Sequence, residues 1–131
     1  MARATNSVRS PLARVRGLGS AQHGVGDWWV QRVTAVALVP LVIWFVASIV
    51  ALAGANYATT VRWMGSPVNA VVLILLLIAM FRHAQLGLRV VIEDYVHHEG
   101  AKIAMLLIVN AVLAILAVGS ILSVLKLVLR G

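Results

Sequence analysis

The chain has 131 residues, 62% of them hydrophobic and 11% charged, with a formal net charge of +7 and no cysteine. Its mean hydropathy is +0.99, more apolar surface than a soluble domain of this size can bury, so the surrounding solvent is lipid. Without cysteine the chain holds no disulfide, iron–sulfur cluster or thiolate-bound haem of its own.

Positive charge opens the chain. Arg3, Arg9, Arg14 and Arg16 precede the first apolar segment, the positive-inside pattern that places an N-terminus in the cytoplasm. The same distribution argues against a nucleic-acid partner. Residues 1–26 read as a basic, cytoplasmic arm without the short apolar core of a signal peptide. Residues 27–131 read as one all-α, integral-membrane domain of three transmembrane helices, about 28–53, 67–95 and 102–128. Nothing alternates as the strands of a lipid-facing barrel must.

Asp27 is a plausible N-cap for the first helix, with Trp28 and Trp29 as headgroup-level anchors and Pro40 inside it. Arg32 stands just within this span. It reads equally as a lipid-phosphate anchor or as a partner for a haem propionate or quinone headgroup. His23, in the arm, could approach the same groups. The segment GANYATTVRWMGSP is expected to be a loop on the outer side, and Ser66-Pro67 a cap and first turn for the second helix. Gly100 closes the inner loop. In the third helix Asn110, Gly119 and Ser120 are the departures from apolar character, the kind of residue that mediates helix packing in lipid.

The second helix carries the chemistry. After VVLILLLIAM come Phe81, Arg82 and His83, then Gly87, Arg89 and Glu-Asp-Tyr at positions 93–95. Ionisable groups at such depth are expensive and mark function. Eleven residues separate His83 from Asp94, about 1100° of rotation, so the two share a face roughly 16 Å apart. Gly87 lies one turn beyond His83 and leaves room for something flat. Arg82 and Arg89 form a second stripe that could neutralise propionates. His83 could be a haem axial ligand, a proton-relay member or a histidine bonded to a neighbouring helix, with ligation favoured. It is the only intramembrane histidine, so a haem held by two imidazoles needs a second polypeptide or a second copy. His97 and His98 read as a solvated pair rather than a metal site. All four acids lie at span ends or in loops, which speaks against a small multidrug-type transporter.

The pattern His83-Ala84, Gly87 and Asp94-Tyr95, together with GVGDWWVQRVTAVALVP at 24–40, resembles the hydrophobic membrane anchor subunits of succinate dehydrogenase, most of all the alphaproteobacterial ones. The resemblance implies one part of a heteromeric helix bundle in the bacterial inner membrane, with the N-terminus cytoplasmic and the C-terminus periplasmic. His83 would ligate haem b opposite a histidine of a cytochrome b subunit, and Arg32 would lie near the propionates. Tyr95, supported by Asp94, would hydrogen-bond a ubiquinone carbonyl. Asp94 or His97-His98 could relay protons. A flavoprotein and an iron–sulfur subunit would complete the complex, embedded in membrane lipid. Gly26 departs from the pattern, because several relatives carry a histidine there. The alternatives are an anchor of a quinol:fumarate reductase and a purely structural anchor without haem.

Overall fold

A computed structural model describes residues 21–130, with side chains from residue 24 onward. Among the described residues four helices follow one another: α1 (Ala21–Ala51), α2 (Tyr57–Gly65), α3 (Pro67–Tyr95) and α4 (Glu99–Arg130). Three are long and apolar enough to cross a membrane, over Gly24–Ala51, Pro67–Tyr95 and Glu99–Arg130. The expected all-α membrane architecture is the observed one, and no strand occurs among the described residues. The first 20 residues of the basic arm and the side chain of His23 lie outside the description.

Helix α3 is the centre of the bundle. It packs against both α1 and α4, and among the described residues no backbone contact joins α1 to α4. Among the described residues, six of the seven buried apolar ones, Ala70, Leu73, Leu76, Ala79, Leu86 and Ile92, belong to α3 accordingly. The outward faces of α1 and α4 keep Val36, Ile43, Ile115 and Val118 exposed. In lipid such faces carry no hydrophobic penalty, so helix association rests on close packing and interhelical hydrogen bonds.

Three local expectations are corrected. Asp27 is not an N-cap, because α1 is already helical at Ala21 and Asp27 lies well inside it. Its carboxylate is satisfied by an arginine of α3 instead of by free backbone N–H groups. Gly100 does not end a loop; it stands in the first turn of α4 behind Glu99, whose charge suits the positive end of the helix. The GANYATTVRWMGSP stretch is helical over nine residues. There Asn56 caps α2, its Oδ1 accepting a hydrogen bond from the Thr59 amide at 2.8 Å. Gly54, at φ +85°, supplies the left-handed residue that lets α1 stop and the chain turn into that cap.

Ser66 and Pro67 open α3 as read from the sequence, although the Ser66 side chain makes no capping bond. The neighbouring Asn69 Nδ2 donates to the Trp63 carbonyl at 2.9 Å and ties α2 to α3. Trp63 stacks on Trp44 of α1, ring centroids 5.6 Å apart. Around them Phe45, Met64, Ala70, Leu73 and Val124 form the apolar end of the bundle. The opposite end is polar.

Candidate functional site

The polar end is held in register by two contacts between α1 and α3. Arg89 Nη1 meets Asp27 Oδ2 at 3.0 Å, and Thr34 Oγ1 lies 3.2 Å from His83 Nδ1. Moving up α1 from Asp27 to Thr34 corresponds to moving back along α3 from Arg89 to His83, as antiparallel helices of equal rise require. On the other flank of α3, Arg82 Nη1 donates to Gln85 Oε1. Gln85 Nε2 in turn donates to Asn110 Oδ1 of α4 at 3.0 Å. The amide expected to mediate packing therefore does so, through a bond of the kind worth about 0.6 kcal/mol in lipid.

His83 is half-buried against α1. Its Nδ1 faces the Thr34 hydroxyl, and among the described residues Nε2 has no hydrogen-bond partner. One turn further, a Cβ added at Gly87 would meet no atom within 4 Å, so the backbone beside the imidazole is open to close approach. His83 thus presents one uncommitted imidazole nitrogen on the helix face that carries Gly87. No cluster of three or more metal-ligating side chains forms among the described residues.

The two arginines of the second stripe differ: Arg89 is ion-paired, whereas Arg82 bonds a neutral amide and keeps its full charge. Arg89 is shared between Asp27 and Glu93, the latter at 2.9 Å from Nε. Arg82 is engaged by Gln85. Beside the Arg89 cluster lies an open groove of about 300 Å³, lined by Asp27, Trp28, Gln31, Arg89, Val90 and Glu93 among others.

Against this geometry, residues 6–118 match the family described as succinate dehydrogenase/fumarate reductase transmembrane subunit. The chain belongs to that family. Among curated relatives, it is 32% identical over 92 residues to the succinate dehydrogenase hydrophobic membrane anchor subunit of Rickettsia bellii, covering 70% of this chain and 74% of the relative. It is 30% identical over 97 residues to the subunit of the same name from Paracoccus denitrificans, covering 74% and 75%. A succinate dehydrogenase membrane anchor subunit of Reclinomonas americana is 25% identical over 94 residues, covering 70% and 78%. The resemblance read from the His83–Tyr95 stretch is thereby borne out.

Among the described residues, none of the others singled out for this family's chemistry is hydrogen-bonded to His83. Asp94 and Tyr95 stand exposed at the end of α3, and among the described residues neither side chain makes a hydrogen bond. His97 and His98 are exposed in the connection to α4. Arg32 is exposed, its guanidinium 5.2 Å above the Trp28 ring, an arrangement suited to an interfacial anchor. Thr34 was not singled out by sequence reasoning. The signal for it was the register: a hydroxyl seven residues beyond Asp27 falls at the level of a histidine six residues before Arg89.

The Arg89 cluster makes a charge-swap prediction. Arg89 and Asp27 side chains are 51% and 45% exposed, so the pair alone contributes little beyond about 1 kcal/mol. Arg89→Glu, by contrast, sets three carboxylates together and costs on the order of 2 kcal/mol. We expect its yield of assembled complex to fall severalfold. Adding Asp27→Arg restores one cation between two carboxylates and recovers the yield, as measured by size-exclusion chromatography in mild detergent.

Proposed function

We propose that the chain is the hydrophobic membrane anchor of a succinate dehydrogenase, joined to catalytic subunits and contributing to a shared haem b site and a ubiquinone-reduction site. The observation that carries this reading is the placement of His83 within a candidate membrane span, with Nδ1 occupied by Thr34 and open backbone at Gly87. The names of the relatives support it on independent ground. The donor set fits half of a bis-histidine site, so the second imidazole comes from a cytochrome b subunit. When bound, haem b supplies one-electron storage between an iron–sulfur donor and the quinone.

This chain's own residues supply position and protons. His83 offers one imidazole nitrogen. Arg32 and the half-exposed Asp27–Arg89–Glu93 cluster give the nearby surface its charge. The exposed phenol of Tyr95 faces outward, where a ubiquinone carbonyl can accept its hydrogen bond, and Asp94 and His97-His98 lie in reach of water to resupply protons. Electrons arrive from succinate through a flavoprotein and an iron–sulfur subunit, since a chain without cysteine holds no cluster. The membrane is the bacterial inner membrane, with the N-terminus cytoplasmic and the C-terminus periplasmic.

The family description covers fumarate reductase as well; the relatives, named as succinate dehydrogenase subunits, favour the succinate-oxidising direction. The test is purification of the complex through an affinity tag on this subunit. We expect covalent or tightly bound flavin, iron and sulfide to co-purify, with succinate-dependent reduction of a short-chain ubiquinone. A tagged subunit that brings down neither flavin nor iron overturns the proposal.

A further inference from the structure

The Thr34 hydroxyl has one hydrogen and two lone pairs. Its Oγ1 stands 2.8 Å from the Val30 carbonyl and 3.0 Å from the Gln31 carbonyl, both in its own helix. Both distances are shorter than the 3.2 Å to His83 Nδ1. The back-bond to the preceding turn is the usual resting place of a helical threonine hydrogen in an apolar setting. The hydrogen therefore goes to a backbone carbonyl, and the lone pairs face His83. What remains for His83 is to donate from Nδ1–H, which leaves the lone pair of the neutral ring on Nε2.

We infer that Thr34 is a positioning residue for His83: it accepts a hydrogen bond from Nδ1–H, fixes the tautomer with Nε2 as the free donor atom, and holds the ring against rotation. The inference rests on His83 being an axial ligand, as proposed above. It adds how α1 governs a ligand carried on α3. Metal-bound histidines are commonly oriented and made more basic by an acceptor on the second ring nitrogen. Here the acceptor is a neutral hydroxyl whose own hydrogen is tied to backbone, so it cannot reverse the bond without breaking its contacts to Val30 and Gln31. A basic imidazole favours the ferric state, and loss of the acceptor raises the midpoint potential.

The test uses the assembled complex in detergent, with Thr34→Val, Thr34→Ser and His83→Ala beside the parent. The readouts are the haem midpoint potential from an optical redox titration and the low-field feature of the low-spin EPR spectrum. Thr34→Val, nearly the same in shape, is expected to keep haem, shift the potential upward and move the EPR feature. Thr34→Ser restores both towards the parent, which a role in packing alone does not explain. Parent values in Thr34→Val overturn the inference while the axial-ligand reading stands. Haem loss in Thr34→Val with recovery in Thr34→Ser supports it; equal loss in both overturns it. A parent-like spectrum in His83→Ala overturns the axial-ligand reading and the Thr34 inference together.

Discussion

His83→Ala is expected to abolish the low-spin b-type spectrum of the complex, leaving either a high-spin haem held from one side or no haem. Among the described residues, the substitution removes the only histidine within a candidate span. It leaves the rest of the chain with little to repair. Thr34 keeps its bonds to the Val30 and Gln31 carbonyls, so no buried polar group is orphaned by the change. The lost hydrogen bond is worth about 1 kcal/mol. The Arg89–Asp27 contact and the Gln85–Asn110 bond still hold α3 to both neighbours. Assembly should therefore survive while ligation does not. A reduced-minus-oxidised spectrum, recorded on preparations matched for flavin, reads the two apart. An unchanged low-spin spectrum would make His83 a packing residue and assign both ligands to partner subunits.

The sequence carried the long helices because charge-free runs of that length have one structural use in lipid, and α3 was bounded at Pro67 and Tyr95 as read. It did not carry the start of α1, for a reason visible in the structure. Asp27 has the composition of a cap, but a capping carboxylate and a salt-bridging one look alike until Arg89, 62 positions away, is brought beside it. The helical nature of residues 57–65 was hidden by their short length and by polar residues that read as loop. Only the Asn56 cap and the seating of Trp63 on Trp44 explain the helix. His83 was legible as an anomaly of depth. Its partner was not, since a threonine in an apolar run is unremarkable until the register of α1 on α3 aligns the two. Asp94 and Tyr95 are the converse case: their spacing was plain, and the structure leaves them facing away from the chain's own packing.

Tyr95→Phe is expected to slow ubiquinone reduction about 10²-fold, the low end of what a positioned proton donor contributes, while succinate oxidation with a soluble artificial acceptor stays at the parent rate. The residue is 78% exposed, and among the described residues its hydroxyl makes no hydrogen bond, so the substitution changes the fold by no more than about 0.5 kcal/mol. Helix α3 ends normally around it, the Val96 amide donating to the Ile92 carbonyl at 3.0 Å. An uncommitted phenol at the rim of a span can give its proton to a carbonyl oxygen on which charge accumulates. Phenylalanine keeps the ring and its contacts with lipid or a partner but offers no proton. The loss should therefore fall on kcat, with a smaller rise in KM, because the hydrogen bond strengthens as the quinone oxygen becomes negative. Comparing the two acceptors separates chemistry from assembly. Equal losses with both would mean a damaged complex, whereas parent-like turnover of ubiquinone would leave Tyr95 as an interfacial anchor and move the proton donor to another subunit.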